Sequence, residues 1–332
     1  MNASIVIVSH GRPEMLQRTL ESLANCRRPN ATLRTIVVEN GYDAGARDVV
    51  GKAAPHLNAV WEFEPSQIKS VALNSALQIC GSDLVIFFDD DVRVSPESLC
   101  AYVEVARAAG PGHFFGGPIQ PEYEVWPPDW LRRFLPHSAR GLQLPEGRSK
   151  PVPDIYFLGF NWAAFGEDLI RCDGFSADFG PGTKLGGGDE TFLQWRMRRS
   201  GLTGLAVPDA LVWHAVPTGR CSPEWVLRRT YGGGFNSGIL AEQRARDRGE
   251  TLNAWRGALK RFRSMTVRGD WARLLSLRSE GRFWLRRTLC WTMAFIAGVR
   301  HGRKHRPLEP TNWQGLAALF ATSNSDCLEN RT

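Results

Sequence analysis

Several common signposts of function are missing from this chain. Its seven cysteines, at positions 26, 80, 100, 172, 221, 290 and 327, are an odd number without a CxxC pair. That excludes a complete disulfide frame within one chain and the Cys/His spacing of structural zinc. It fits free thiols in a reducing compartment. Long apolar runs are lacking too. The longest near the C-terminus, TLCWTMAFIAGV (288–299), has 12 residues, against about 20 needed to span a bilayer. The start, MNASIVIVSHGRP, has no basic n-region and reads as a first strand rather than a secretory leader. The expected location is therefore cytoplasmic. No GxxxxGK[ST] phosphate loop occurs, no GxGxxG follows the first strand, and GFNSG (234–238) is not a GxSxG nucleophile elbow. No internal repeat and no low-complexity segment is visible.

Acidic residues are scarce in one stretch. From Arg220 to Arg306 there are 20 Lys and Arg against 6 Asp and Glu, a local charge of +14 in a chain of net +7. The remainder is therefore mildly acidic, at −7. Such a basic region suits anionic headgroups, pyrophosphate groups or nucleic acid, or is simply a solvated helical face. Otherwise the chain is ordinary. Its 332 residues, 43% hydrophobic and 23% charged, allow one large α/β domain with an appendage, or two modest domains.

What is present is a strand–helix alternation. SIVIVSH (4–10), RTIVVENG (34–41) and DLVIFFDDD (83–91) are β-branched or apolar runs ending in polar residues. PEMLQRTLESLA (13–24) reads as a helix with Pro13 in its first turn. SQIKSVALNSALQICG (66–81) is bounded by a Ser cap and a Gly stop. SPESLCAYVEVARAAG (95–110) has Ser95 as cap, Pro96 in the first turn and Gly110 as stop. Alternation of this kind predicts a mostly parallel, doubly wound sheet whose ligands sit at the strand carboxyl ends. Residues 118–154 read as a long ordered loop, IYFLGFNWAAF (155–165) as a strand, and SADFGPGTKLGGGDE (176–190) as a Gly-rich loop. DETFLQWRMRRSG (189–201) reads as a helix, LAVPDALVWHAVP (205–217) as extended, and the chain beyond 219 as helical.

Three constellations bear on chemistry. In FFDDDV, Asp89, Asp90 and Asp91 follow two large apolar residues. Two carboxylates 4 Å apart repel by roughly 4 kcal/mol at an effective dielectric near 20. The triplet is then either a solvated turn or an oxygen site for Mg²⁺ or Mn²⁺ completed by water and phosphate. In GGGDET, Asp189 and Glu190 either soften a helix start or hold a general base on a closing loop. His214, after the apolar run ALVW, is a packed histidine unless the fold brings it to the triplet.

In order and spacing these pieces resemble family 2 glycosyltransferases with the GT-A fold. The motifs are SIVIVSHGRPEMLQRTLESL, IVVENG, VALNSALQICGSDLVIFFDDDVRVSPE, FLGFNWAAFGEDLIRCDGFSADFG, GGGDETFLQWRMRRSG and LVWHAVPTGRCSPEWVLRRTYGGGFNSG, spanning roughly residues 3–240. The resemblance implies a Rossmann-like sheet with flanking helices and a helical, basic C-terminal region. Residues 1–117 would form the nucleotide-sugar half, 118–218 the acceptor half and 219–332 the extension. It implies that Asp89, Asp90 and Asp91 play the part of the DxD-type motif, holding Mn²⁺ or Mg²⁺ and touching the donor. Ser9, Arg12, Glu39 and Lys69 would line the nucleotide pocket, Asn161 would stand beside the acceptor, and His214 would join Asp89 and Asp91 around the metal. The family usually reads Glu-Asp before this helix, whereas here the order is Asp189-Glu190. Counting from Arg196 puts Glu190 in the base position and leaves Asp189 as orienter or substitute.

The implied reaction is a metal-dependent, inverting displacement from a UDP- or dTDP-sugar to an acceptor hydroxyl of a glycan or lipid-linked acceptor, in cell-surface polysaccharide or glycoconjugate synthesis. Arg220, Arg228 and Arg229 suit the diphosphate geometrically, and Trp126, Trp130 and Arg132 suit the acceptor. RFWLRRTLCWTMAFIAGVRHGRKH (282–305) is apolar with Trp and basic flanks. It would lie peripherally on an anionic membrane surface, or else pack as an ordinary helix. A sugar-nucleotide nucleotidyltransferase and a nonenzymatic nucleic-acid binder remain as alternatives. SHGRPEML is a poor nucleotide loop for the first, and no nucleic-acid motif supports the second.

Overall fold

The computed structural model describes residues 1–80, 84–145, 147, 149–183, 186–257, 259 and 279–304. Expectations that fall on Gly81, on 260–278 and on 305–332 lie outside the described residues. The first elements are β1 (Asn2–Ser9), α1 (Pro13–Ala24), β2 (Thr32–Asn40), α2 (Ala46–Leu57), β3 (Ala59–Glu64), α3 (Lys69–Cys80), β4 (Leu84–Asp89), β5 (Val92–Val94) and α4 (Ser98–Ala109). There follow β6 (His113–Gly116), β7 (Ile119–Tyr123), α5 (Asp129–Arg132), α6 (His137–Arg140), β8 (Asn161–Phe165), α7 (Gly166–Arg171) and α8 (Asp189–Arg199). Further described elements are β9 (Thr203–Ala206), β10 (Val212–Val216), α9 (Pro223–Asp247) and α10 (Ser279–Lys304).

Seven strands form one sheet in the order β3-β2-β1-β4-β8-β6-β9, parallel except for β8. Burial on both faces explains the unbroken apolar runs. Along β4, Ile86 and Phe88 join the core under α1 and α4. Phe87 faces the other way, stacked 4.8 Å from Trp162, in the core under α3 and α8. A second sheet, β5-β10-β7, folds over the carboxyl end of β4. There His214 pairs with Val92, and the Ala215 N–H donates to the Asp91 carbonyl at 2.9 Å.

The structure corrects the sequence expectations locally. Residues 118–154 are not a bare loop but contain β7, α5 and α6. Only Asn161–Phe165 of the expected 155–165 strand is paired. The helix expected to begin at Pro96 begins at Ser98, because Ser95 closes a turn through its carbonyl to the Ser98 N–H. In 205–217 the extended run is split between β9 and β10. Short strands β3, β5 and β6 and helix α2 gave too little periodicity to be read.

Candidate active site

β1, β2 and β4 end side by side, with Ser9 opposite Glu39 and Val8 opposite Asp89. The turn after β4 carries Asp90 and Asp91, both buried, so the solvated-turn alternative does not describe them. Asp90 is fully inaccessible. Its Oδ2 accepts from Ser9 Oγ at 2.7 Å and its Oδ1 from Arg12 Nη2. Burial pushes the Asp90 carboxyl up to about 6, against the pull of Arg12. Asp91 Oδ2 accepts from Arg12 Nη1 at 2.8 Å and lies 3.5 Å from Arg220 Nη1. Burial alone would raise Asp91, but the Arg12 and Arg220 guanidiniums pull it below the usual carboxylate range. Asp89 pairs with Lys69 Nζ.

Three protein cations therefore face three carboxylates, and charge alone does not demand a metal. One oxygen of the set stands apart. The Asp91 Oδ1 atom is buried and has no hydrogen-bond partner. It stands 3.5 Å from His214 Nε2. The His214 Nδ1 lies 2.6 Å from the Ser138 carbonyl, which can only accept, so Nδ1 carries the proton. Nε2 then presents a lone pair, taking a hydrogen bond from Arg220 Nη1 at 3.1 Å. Phe160 stacks on the ring at 4.4 Å and fixes its plane. A buried carboxylate oxygen without a donor beside an imidazole lone pair is a donor set that fits Mn²⁺ or Mg²⁺. Among the described residues no group of three His, Cys, Asp or Glu is placed to hold an ion. Asp91 and His214 would thus supply part of a shell, with water and diphosphate oxygens the rest.

Opposite this wall, α8 begins at Asp189 after Gly188 in the left-handed region, φ +90°. The Gly-rich loop before it is docked on α3. Lys69 N–H donates to the Pro181 carbonyl at 3.0 Å and Ser70 Oγ to that of Phe179 at 2.6 Å. Gly182, at φ +89°, is required, since a Cβ there would lie 2.2 Å from the Gln67 carbonyl oxygen. From the other side Asn236 Nδ2 donates to the Gly187 carbonyl at 2.8 Å, and Arg229 Nη1 to that of Gly186 at 3.3 Å. Burial and then the Asp189 charge push the Glu190 carboxyl up to about 8.

Between the walls lies a cavity of about 590 Å³, a size suited to a small-molecule site. Arg12, Lys69, Asp89, Asp91, Asp189, Glu190, His214, Arg220 and Arg229 all line it, with Ser9 and Asp90 behind. Other candidates lie elsewhere. Asn161 is fully buried. Its Oδ1 accepts from Tyr102 at 2.7 Å, and its Nδ2 donates to the Pro118 and Ala210 carbonyls at 2.9 and 2.8 Å, so it braces the fold beneath the cavity. Glu39 accepts from the Ala44 and Ala46 N–H groups at 2.7 and 3.2 Å and from Trp61 Nε1 at 3.0 Å. Trp126 is 64% exposed, edge-on to Tyr123 with Arg132 beside it. Trp130 packs on Phe283, and Arg228 points to solvent. None of these lines the cavity.

Sequence reading gave no part to Phe160, to Ser138 through its carbonyl, or to Trp225. Trp225 carried the clearest signal, standing in SPEWVLRR beside arginines already singled out. The others act through packing or backbone atoms, which no side-chain pattern announces.

A mostly parallel sheet, acids at the β4 end and a second acid pair across a nucleotide-sized cavity define a GT-A glycosyltransferase. Comparison with known proteins agrees. The model for Glycosyl transferase family 2 matches residues 4–170. Succinoglycan biosynthesis protein ExoM of Rhizobium meliloti (strain 1021) is 30% identical over 74% of this chain and 77% of its own length. Validoxylamine A glucosyltransferase of Streptomyces hygroscopicus subsp. limoneus is 25% identical over 60% of this chain, which spans about half, 48%, of that protein. Among solved structures, the mannosyltransferase PcManGT from Pyrobaculum calidifontis in complex with GDP-Man and Mn²⁺ aligns with TM-score 0.52 at 18% identity, over 99% of this chain and 81% of that one. S. aureus TarS 1-349 in complex with UDP-GlcNAc aligns with TM-score 0.53 at 14% identity, over 97% and 92%. At such identities the structures speak for the fold alone. The chain belongs to glycosyl transferase family 2 and is a glycosyltransferase, which sets aside the nucleotidyltransferase and nonenzymatic readings.

Proposed function

We propose that this enzyme transfers a sugar from a UDP- or dTDP-linked donor to an acceptor hydroxyl, with inversion and with Mn²⁺ or Mg²⁺, in the building of a cell-surface polysaccharide or glycoconjugate. The observation that carries the reading is the unpartnered Asp91 Oδ1 beside the His214 Nε2 lone pair, facing Glu190 across one cavity. A divalent ion held by Asp91 and His214, with Asp89 at the same wall, would supply positive charge against the leaving diphosphate. Arg220 and Arg229 line the same cavity and are placed to pair with phosphate oxygens. Ser9, Arg12 and Lys69 fix the carboxylates on which the donor rests.

Glu190 accepts the proton of the acceptor hydroxyl at a carboxylate oxygen. Its pKa, pushed up to about 8, makes it a stronger base than an ordinary glutamate. Asp189, buried beside it, keeps that pKa high. A single displacement then follows, and the configuration at the anomeric carbon inverts. Residues 1–117 would serve the donor and 118–218 the acceptor, with 219–332 as an extension acting at the cytoplasmic face of the membrane. Among the described residues no helix is long and apolar enough to cross a membrane.

The test is calorimetric titration of UDP and dTDP with Mn²⁺, then with EDTA, on the native protein and on Asp91→Ala. Binding that needs both the ion and Asp91 supports the reading. Binding by neither nucleotide under any condition overturns it.

A further inference from the structure

The outer face of α10 has no role in the site just described. Its inner face is locked onto α9 by small residues: a Cβ on Gly298 would lie 2.0 Å from the Phe235 carbonyl oxygen, and one on Gly238 2.2 Å from that of Phe295. Its first turns are tied to the catalytic body. Phe283 and Trp284 pack in one cluster with Leu131 and Phe134, and Trp225, which lines the cavity, packs against that cluster. The helix is therefore fixed, yet its outer face is apolar. Leu285, Leu289 and Met293, four residues apart, are 36%, 48% and 69% exposed. That spacing places them in one row of about 12 Å along the helix. Arg282, Arg286 and Arg300 share this face at its two ends and are exposed. They have no partner among the described residues, whereas Arg303 bonds to Glu242 at 3.2 Å.

We propose that this face is the docking surface for an anionic lipid bilayer, with Leu285, Leu289 and Met293 entering the acyl boundary and the three arginines meeting lipid phosphates. Charge complementarity selects this occupant. An apolar row with unpaired cations at both ends matches the depth profile of an anionic interface, where a helix lies in the plane. At 26 residues α10 has the length to cross but not the apolarity. The rigid link through Phe283 and Trp284 to Trp225 then sets the cavity mouth at a fixed height above the lipid surface. The proposal deepens the lipid-linked acceptor reading but is scored without it.

The experiment is co-sedimentation of the full chain with vesicles of phosphatidylcholine containing about one third phosphatidylglycerol, against phosphatidylcholine alone, without nucleotide. The native protein should favour the anionic vesicles by roughly tenfold or more, and less so at high salt. Leu289→Asp with Met293→Asp should weaken this binding roughly tenfold or more. Arg282→Gln, Arg286→Gln and Arg300→Gln together should weaken it roughly 100-fold, at about fivefold per charge. Melting temperature and nucleotide binding should be retained by both variants. Because the glutamine variant keeps every apolar contact, it decides the matter if the aspartates unfold. No vesicle binding by the native protein, or equal binding by the glutamine variant, would overturn the proposal. So would a concentration-dependent dimer abolished by the aspartates, which would assign the face to a second copy. Nucleotide binding without vesicle binding would sink this inference and leave the donor site standing.

Discussion

The two acidic walls of the cavity use the same chemistry to opposite ends. At the end of β4, Asp89, Asp90 and Asp91 are met by Lys69, Arg12 and Arg220, and Asp91 is driven well below the usual carboxylate range. At the start of α8, Glu190 is raised to about 8, and no Lys or Arg within the described residues bonds to it; the Lys69 charge acts on it only weakly. On the first wall Asp91 is held ionised while buried Asp90 is pushed up to about 6; on the second, Glu190 is raised further still. Environments that push pKa values apart separate binding from proton transfer on one site. Burial and the Asp189 charge lift Glu190, whereas the guanidiniums of Arg12 and Arg220 pull Asp91 down.

The largest effect is expected from erasing the second wall. Glu190→Gln should lower kcat by roughly 10²–10⁴-fold, while nucleotide affinity, if the proposed donor site at β4 holds, changes by no more than a few fold. A loss confined to nucleotide affinity would show that the two walls do not divide the work in this way. Asn161→Ala marks the scaffold common to both. It would orphan the Tyr102 hydroxyl and two carbonyls, so unfolding free energy should fall by about 2–4 kcal/mol, with kcat per folded molecule near normal. A selective rise in acceptor KM would return Asn161 to the acceptor site.

Arg12→Gln weakens the first wall. It leaves Asp90 and Asp91 with fewer partners, but Arg12 is itself 38% exposed. The expected loss, read by denaturant unfolding, is therefore a screened one of about 1–3 kcal/mol. An unchanged midpoint would mean that Ser9, His214 and Arg220 suffice. The smallest and most discriminating effect is on pH dependence. A base with a pKa near 8 is protonated below it, so kcat/KM should rise with pH and level off above about 8. Asp189→Asn removes a neighbouring negative charge and should shift that limb to lower pH. A limb that stays in place would make burial alone responsible.

Much of this was legible in the chain. SIVIVSH, IVVEN and FFDDD announced three strands with polar carboxyl ends, and these meet at the cavity as a parallel sheet requires. Asp189 and Glu190 were readable from the Gly-rich lead into a helix, which the structure places where expected. Glu39 and Asn161, expected beside donor and acceptor, do not line the cavity, and a polar side chain at a strand end looks the same from sequence whether it meets ligand or seals a turn. Only the partners of Glu39, Trp61 and the start of α2, separate the two cases.

The sequence by itself determined the alternation of strands and helices, the acids at a strand end and the basic tail. Local propensity and apolar periodicity act over a few residues and are written in order. Only the tertiary structure decided that His214 Nε2 comes within 3.5 Å of Asp91, that Arg12, Lys69 and Arg220 face the triplet, and that Glu190 stands raised across the cavity. Those outcomes depend on burial and on distances between residues up to 123 positions apart in the chain, from Asp91 to His214. Electrostatics inside a folded protein follows distance through space, and the order of residues along the chain does not specify it.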